Sequence, residues 1–302
     1  MKQKPLSVTV GIPTCYGGLS LVNTVRSIRR SPGGKYIRII VTADRTPITK
    51  EVKAALKKLN TDLYWNDKEG SQTKKIKQMV AKTTTDIYIA TQDDITFDDH
   101  TISEIISAFE ADPSLTMAGV RIRPLPPETF FESAMGSMVR IVDSIASSWN
   151  GTNNHLAPSG RCLAYRHKHQ SKFRIPKSVV NSDMFFYLEN KRLGGTFRLI
   201  PTAYVSIRCP QEIKDQIAPS SRYLYSKEEM KGYFNQNLDS EYRIPWKYII
   251  SAYIRELALR PLPSLYYFLI RLYTLIKRLP RKTVANPVWR VDVSTKQGAS
   301  SL

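Results

Sequence analysis

The stretch Asp86-Ile-Tyr-Ile-Ala-Thr-Gln-Asp-Asp-Ile-Thr-Phe-Asp-Asp99 runs from an apolar strand directly into two adjacent carboxylates, Asp93 and Asp94. A buried strand that ends in two acids is unfavourable unless a positive group, commonly a metal ion, meets them there. In α/β folds the carboxyl ends of the strands are also where ligands bind. This stretch therefore predicts a strand with a charge-binding site at its end.

Strands and helices alternate through the residues that precede this site. The pattern predicts strands over residues 7–13, 36–43, 63–65 and 87–91, and helices over residues 19–30, 49–60 and 73–81. The order βαβαβαβ favours a mostly parallel sheet flanked by helices. Three of its strand ends carry polar side chains: Thr14 and Tyr16 follow the first strand, Asp44 the second, and Asp93 and Asp94 the fourth.

The composition of the chain and the absence of two nucleotide-binding motifs limit the classes of protein to which it can belong. The chain has 302 residues, 42% of them apolar, and a formal net charge of +19, which favours an anionic partner: nucleic acid, a membrane surface or a phosphorylated substrate. Neither a Gly-x-Gly-x-x-Gly turn nor a P-loop follows the first strand, which argues against a dinucleotide-binding Rossmann domain and a P-loop NTPase. Three widely spaced cysteines fit a reducing cytoplasm better than a disulfide framework.

The marked strand ends resemble those of a known family. Val10-Gly-Ile-Pro-Thr14, Asp44, the run into Asp94 and Val179-Val-Asn-Ser-Asp183 are similar to family 2 glycosyltransferases with the GT-A fold, over residues 7–225. The chain departs from that family at Gln92, where the first acid of its Asp-x-Asp motif would stand. An amide oxygen still coordinates a hard cation, but with less charge, which predicts weak metal binding.

The resemblance implies a role for each marked residue. Asp44 would bind the base of a nucleotide sugar, and Thr14 would line the same pocket with Tyr16. Asp94 would bind a divalent cation, Mn²⁺ or Mg²⁺, on the donor diphosphate, while Asp93 would point towards the ribose or the sugar. Two weaker donor-binding candidates, Gln72 and Lys77, lie where the family often contacts the donor, although a lysine-rich helix is more often a solvated face. A plain turn residue stays an alternative for Asp44 and for Asp94.

Asp183 would be the catalytic base that this family requires. Inverting transfer needs the acceptor hydroxyl to lose its proton as it attacks the anomeric carbon, and one carboxylate can take that proton. The alternative is that Asp183 caps the helix predicted to follow it. Helix capping is also the expected role of Asp98 and Asp99, which precede the helical run 101–110.

The resemblance also implies an activity and its substrates. The expected reaction moves a sugar, from UDP by preference, to a saccharide or a polyprenyl-diphosphate-linked acceptor in polysaccharide biosynthesis of the bacterial surface type. The segments 148–151 and 159–166 resemble the family's acceptor side, where a small-residue turn leads into an edge strand. The endings 286–290 and 293–296 also resemble those of bacterial members.

A basic tail distinguishes the end of the chain. We divide the sequence into a catalytic domain, 1–225, and a helical tail, 226–302. Residues 243–290 hold ten basic residues and one acid, a net +9, and two helices are predicted over 246–260 and 264–279. In the second, Ser264, Arg271, Thr274 and Arg278 share one polar face, and the remainder is apolar and rich in aromatics. This pattern is typical of a helix in a membrane interface, and predicts peripheral attachment to the anionic inner face of the cell membrane. A hairpin packed on the catalytic domain is the alternative.

Two other functions remain possible from the sequence. A nucleotidyltransferase that makes the sugar nucleotide also combines an α/β sheet with metal-binding acids, but its basic glycine-rich loop is missing from 14–18. A nucleic-acid-binding protein would explain the charge, yet no recognised binding motif is present, so nucleic acid is not an expected partner.

Overall fold

The structure is a computed structural model that describes residues 5–68, 70–235 and 238–286. In chain order the elements are β1 (Val8–Thr14), α1 (Leu19–Arg30), β2 (Arg38–Asp44), α2 (Lys50–Lys58), β3 (Thr61–Asn66), α3 (Gln72–Lys82), β4 (Ile87–Thr91), β5 (Ile95–Phe97), α4 (Thr101–Ala111), β6 (Leu115–Pro124), α5 (Phe130–Ser148), β7 (Cys162–Arg166), α6 (His167–Gln170), α7 (Ser182–Arg192), β8 (Thr196–Ile207), α8 (Ile213–Phe234), α9 (Asp239–Tyr242), α10 (Trp246–Leu259), α11 (Pro261–Ile276) and α12 (Arg281–Val284). The seven elements predicted for the first half are all present, with ends shifted by no more than two residues.

The strands form one eight-stranded sheet in the order β3-β2-β1-β4-β7-β6-β8-β5. The pairs β1–β2, β1–β4, β2–β3 and β6–β8 are parallel, and β7 and β5 pair antiparallel with their neighbours. The carboxyl ends of β1, β2 and β4 therefore meet at one edge of the sheet, as expected for a mostly parallel α/β fold.

Both faces of the sheet are covered, which explains the continuous apolar sequence of β4. Ile87 and Ile89 face a core layer that includes residues of α1, α4 and α5, whereas Tyr88 and Ala90 face a second layer with α3 and α7. Gly11 on the neighbouring strand is needed there, because a Cβ at this position would stand 2.3 Å from the Tyr88 hydroxyl.

Two local predictions are wrong. The strand predicted at the edge on the acceptor side is β7, which lies inside the sheet between β4 and β6, because both neighbours pair with it. The side chains of Asp98 and Asp99 do not cap α4: His100 occupies the cap position, with no side-chain hydrogen bond. Asp98 instead forms an ion pair with Arg123 of β6, at 2.9 Å.

The C-terminal helices α10 and α11 pack on α5, and α11 also contacts α8. Arg140 of α5 donates to the buried Glu256 of α10 at 2.7 Å, and Tyr266 of α11 stacks on Phe130. One face of this pair is thus packed on the α/β domain, as the alternative interpretation of the tail expects. No helix in the described part of the chain is long and apolar enough to cross a membrane.

The polar face predicted for α11 is divided in the structure, because Arg271 is exposed while its two hydroxyl residues are not. Ser264 and Thr274 are buried towards the protein with Tyr267 and Ile270. The opposite, outer face is apolar, and its exposed side chains across α10 and α11 are Trp246, Ile250, Ile254, Leu257, Leu259, Leu262, Leu265, Phe268, Leu269, Leu272, Tyr273, Leu275 and Ile276. We call this set the outer hairpin face. The predicted domain boundary at residue 225 lies inside α8 and stays a prediction, and the endings at 287–290 and 293–296 lie outside the described residues.

Candidate active site

Thr14 ties the loop after β1 to the acid that follows β4. Its hydroxyl donates a short hydrogen bond to Oδ2 of Asp93, and it accepts from the backbone N–H groups of Tyr16 and Gly17 at 3.2 and 3.0 Å. Thr14 and Asp93 are both buried, whereas Tyr16 is half-buried beside them. The hydroxyl thus uses its donor and acceptor capacity together, and fixes two predicted site residues against each other.

Asp44 ends β2 as a buried anion with a buried cationic partner. Its Oδ1 lies 2.7 Å from Nζ of Lys75, its Oδ2 accepts from the Gly70 N–H at 2.8 Å, and Arg45 Nε lies 3.5 Å away. The Asp44 and Lys75 side chains are 1% and 7% exposed. A carboxylate oxygen has two lone-pair directions, so Asp44 can accept from a base as well as from these groups.

Lys75 reaches Asp44 from helix α3. Ser71 caps the helix by accepting from the Lys74 N–H at 3.2 Å, and Gln72 is half-buried in its first turn. The side chain of Lys77 is exposed, two residues beyond Lys75 and therefore on the opposite side of the helix. The structure brings Asp44, Lys75 and the start of α3 together, and leaves Lys77 outside this group.

The end of β4 meets the loop before β7. The antiparallel register sets Thr91 opposite Cys162, and the Thr91 hydroxyl donates to the carbonyl of Arg161 at 2.5 Å. This brings Gly160 over the strand end. A Cβ on Gly160 would lie 3.7 Å from Nε2 of Gln92 and 3.8 Å from Oδ2 of Asp183, so both side chains face the same point. Asp94 is half-buried two residues after Gln92.

Asp183 lies in the first turn of α7, one residue inside the helix. Its Oδ2 accepts from the Gly160 N–H at 3.2 Å, and its Oδ1 from the N–H of Met184 at 3.1 Å. The cap position is Asn181, which makes no side-chain cap hydrogen bond. A negative charge in the first turn is favoured by the helix dipole, so Asp183 contributes to the helix start without serving as its cap.

The segment before α7 is held by α8. The Glu229 carboxylate accepts from the backbone N–H groups of Val180 and Asn181, at 2.7 and 3.1 Å, and from Nδ2 of Asn181 at 2.6 Å. Three N–H donors on one carboxylate fix this segment, and with it the start of α7 at the next residue.

Two further side chains lie near Asp183. Arg161, from the loop before β7, donates a hydrogen bond to the hydroxyl oxygen of Tyr223 on α8. The pKa of Tyr223 is raised, chiefly by burial and further by the negative charge of Asp183.

The metal-binding potential of the site rests on few protein ligands. In the described residues, no group of three or more His, Cys, Asp or Glu side chains is arranged to hold a metal ion. The oxygens at the end of β4 are those of Gln92, Asp93 and Asp94, which are hard donors suited to Mg²⁺ or Mn²⁺. Mg²⁺ commonly takes one or two carboxylates and completes its shell with substrate phosphates and water.

The sequence patterns indicated the polar residues at the strand ends, but not three other side chains that lie near them. Lys75, Arg161 and Tyr223 were not predicted as site residues. Lys75 had a detectable signal: it stands four residues before the buried Met79, on the inward side of α3. Arg161 and Tyr223 come together only through the β7 register and the path of α8, which no local pattern encodes.

Comparison with known proteins finds likeness at the level of structure. No protein-family model matches the chain, and no curated protein matches it. The fold is similar to a mannosyltransferase from Pyrobaculum calidifontis solved with GDP-mannose and Mn²⁺: the TM-score is 0.58 at 15% identity, over 94% of this chain and 84% of that chain.

Glucosyl-3-phosphoglycerate synthase from Mycobacterium tuberculosis is also similar. Its complex with Mn²⁺, UDP and phosphoglyceric acid gives a TM-score of 0.54 at 10% identity, over 75% of this chain and 78% of that one. Its complex with Mg²⁺ and UDP gives 0.54 at 10% identity, over 75% and 79%. At these identities the likeness establishes the fold, which is the GT-A fold of nucleotide-sugar glycosyltransferases.

Proposed function

We propose that this protein is a metal-assisted glycosyltransferase. It moves a sugar from a nucleoside-diphosphate sugar, UDP-linked by preference, to a hydroxyl of a saccharide or lipid-linked saccharide acceptor, with inversion. One observation carries the proposal. The carboxylate of Asp183 and the side chain of Gln92 at the metal-binding strand end face one point, at the Gly160 backbone. A base and a diphosphate-binding end on either side of one space is the arrangement that single displacement requires.

The donor half of the site is formed by the ends of β1 and β2. Asp44 accepts from the base, and Lys75 orients this carboxylate through the 2.7 Å contact. Thr14 and Tyr16 line the same pocket, with Gln72 at the start of α3. Asp93, held by Thr14, faces the ribose and the sugar.

The oxygen ligands at the end of β4 fit a divalent cation held on the donor diphosphate. Asp94 and the amide oxygen of Gln92 would hold it, with the donor phosphates and water as the remaining ligands. When bound, the cation neutralises charge that develops on the departing diphosphate.

The acceptor half depends on Asp183. Its carboxylate takes the proton of the acceptor hydroxyl while that oxygen forms the bond to the anomeric carbon. The bond from that carbon to the diphosphate oxygen breaks, and its electron pair leaves with the nucleoside diphosphate. The hydrogen bonds from Gly160 and Met184 hold the carboxylate in position for this transfer.

The tail supplies the location that we propose, peripheral attachment to the cytoplasmic face of the cell membrane, in polysaccharide biosynthesis. The outer hairpin face is a large apolar surface beside a strongly basic sequence. An apolar helix face flanked by lysine and arginine is the composition of interfacial helices.

The test is donor turnover by the full chain. UDP-sugars and GDP-sugars are incubated with Mn²⁺ or with EDTA, and release of the nucleoside diphosphate is measured. We expect release with at least one donor, lost in EDTA. The Gln92→Asp variant adds a carboxylate at the strand end and should reach half-maximal rate at a lower Mn²⁺ concentration. Release of pyrophosphate from a nucleoside triphosphate and a sugar phosphate, without donor turnover, would instead identify a nucleotidyltransferase.

A further inference from the structure

A cleft of about 170 Å³ lies between α8, α12 and the segment that leads into α7. Its lining residues are Ser178, Val180, Asn181, Arg222, Tyr225, Glu229, Tyr233, Arg281 and Ala285. No role in the donor site involves this cleft, because the donor residues come from β1, β2, β4 and α3.

The charged groups of the cleft favour an anion. Glu229 is the acid among its lining residues, and its carboxylate is occupied by three N–H donors of Val180 and Asn181. Arg222 and Arg281 contribute the positive charge, and Arg281 lies 3.2 Å from the exposed Glu228 at the rim. Tyr233 and Ser178 add hydroxyl groups, which lie 2.9 Å from each other. Guanidinium groups with nearby hydroxyls suit the oxygens of a phosphate.

The cleft adjoins the acceptor side of the active site. Asn181 lines it and stands two residues before Asp183. Arg222 lines it from α8, and the next residue, Tyr223, has its hydroxyl beside Arg161 and within the field of Asp183. A phosphate in the cleft would therefore hold an attached saccharide close to the base.

The cleft also adjoins the outer hairpin face. That face ends at Leu275 and Ile276, which is 79% exposed. Three residues later the chain is fixed to α8, since the Leu279 N–H donates to Ser221 at 2.9 Å and the Tyr225 hydroxyl donates to the Leu279 carbonyl at 3.4 Å. Arg281 follows directly and enters the cleft wall. The segment 277–280 thus connects an apolar surface to a cationic cleft over a few residues.

We infer that this cleft is the binding site for the phosphate or diphosphate headgroup of a lipid-linked acceptor, whose hydrocarbon chain lies along the outer hairpin face. The inference rests on the proposed glycosyl transfer and names the acceptor class for it. The outer hairpin face binds the hydrocarbon chain, Arg222 and Arg281 bind the phosphate, and Asp183 takes the proton of the reacting hydroxyl.

Binding of the full chain to phosphatidylcholine vesicles tests this directly. The vesicles contain a small fraction of a polyprenyl diphosphate, a polyprenyl monophosphate or the uncharged polyprenol. We expect tighter binding to the phosphorylated lipids than to the polyprenol. The Arg222→Gln/Arg281→Gln variant should weaken that binding about tenfold or more, because two charge-assisted hydrogen-bond donors are lost. Arg26→Gln/Arg30→Gln, the same two-charge change at exposed positions of α1, should leave it unchanged, and Arg222→Lys/Arg281→Lys should retain most of it.

Three outcomes would overturn the inference. They are equal binding to polyprenol and phosphorylated vesicles, unchanged binding by the double glutamine variant, and binding of free pyrophosphate as tight as that of the lipid diphosphate. Donor turnover without lipid is measured in parallel. Loss of donor turnover with lipid binding intact would contradict the proposed function alone, and the reverse result would contradict this inference alone.

Discussion

A carboxylate that removes a proton must be held in place while it keeps an open lone pair towards its substrate. Asp183 meets both conditions, because it takes one backbone N–H on each oxygen and each oxygen has two lone-pair directions. Its position one residue inside α7 also excludes one of the two roles that the sequence left open, that of helix cap. It is not the helix cap, so a variant that removes its charge acts mainly on the site.

The variant Asp183→Asn should abolish transfer and leave the fold intact. An amide cannot accept the acceptor proton, and a general base contributes about 100- to 10,000-fold to the rate. We expect kcat to fall by about that factor with the donor KM nearly unchanged, and a modest fall in the thermal midpoint, because the amide can accept only one of the two backbone N–H groups. Asp98→Asn, which removes a charge at the exposed pair with Arg123, is the matched control and should keep normal kcat. Near-normal transfer by folded Asp183→Asn would remove this residue from the mechanism.

The Asp44–Lys75 pair should be among the most sensitive contacts of the molecule. Lys75→Met removes the buried cation of Asp44 and leaves only the more distant Arg45, and breaking a buried pair costs about 3–5 kcal/mol. Asp44→Asn/Lys75→Met removes both charges and should recover part of that loss in urea unfolding. Arg198→Met breaks a half-exposed pair with Asp112 and should cost about 1 kcal/mol or less. If Lys75→Met lowers the free energy of unfolding by as little as Arg198→Met does, the Asp44–Lys75 pair contributes no more than an exposed ion pair.

At the residue scale, the sequence predicts a candidate site residue where a polar side chain stands at the end of an apolar strand. Thr14 and Asp44 stand at the ends of apolar strands, and Asp94 comes three residues after one, so the sequence positions them at one edge of a parallel sheet. Lys75 was hidden because a lysine-rich helix is usually a solvated face. The side-chain contacts of Asp98 depend on Arg123, 25 residues away, and a local capping rule cannot anticipate such a partner.

At the scale of elements, α8 holds the start of α7, the helix that carries the proposed base Asp183. Glu229 of α8 binds the two residues that precede α7, so the direction of the first turn of α7 depends on a helix that follows it by some twenty residues. The sequence pattern predicted the helix that follows residue 183. It gave no indication that the helix start is fixed by a distant acid.

Glu229→Gln should therefore disturb catalysis through position. The glutamine amide turns N–H groups towards the N–H donors of Val180 and Asn181, so at least one of these hydrogen bonds is lost, at a cost of about 1–3 kcal/mol. We expect kcat to fall while the donor KM is retained, because the donor half of the site is built by other elements. Glu212→Gln, an exposed change beside the start of α8, is the control. Equal losses in kcat and in donor affinity would indicate general destabilisation instead.

At the scale of the whole molecule, the hairpin of α10 and α11 is built with its small polar residues inward and its large apolar residues outward. The helix pattern predicted both helices and their amphipathic character, but it did not decide which face packs on the domain. Ser264 and Thr274 pack on the domain, where short side chains permit close approach of the helices. Periodicity identifies the faces of a helix, and only tertiary packing decides which one is turned outward.

The apolar surface that results predicts membrane binding with a sharp dependence on single residues. Leu269 is 60% exposed on the outer hairpin face, and Leu19 on α1 is exposed to nearly the same extent, 63%. Burying a leucine side chain is worth about 1.5–3 kcal/mol, so Leu269→Glu should lower partitioning into phosphatidylglycerol vesicles by about tenfold or more. Leu19→Glu should leave partitioning unchanged, because α1 lies away from the hairpin.

Salt separates the two contributions to this attachment. The basic sequence around the hairpin should make binding weaker at high ionic strength, by up to about 1 kcal/mol for each lysine or arginine near the surface. The apolar contribution should persist in 1 M NaCl for the natural sequence and be lost in Leu269→Glu. Vesicle sedimentation measures both. Equal partitioning of the two glutamate variants, at low and at high salt, would mean that the hairpin face meets something other than a bilayer.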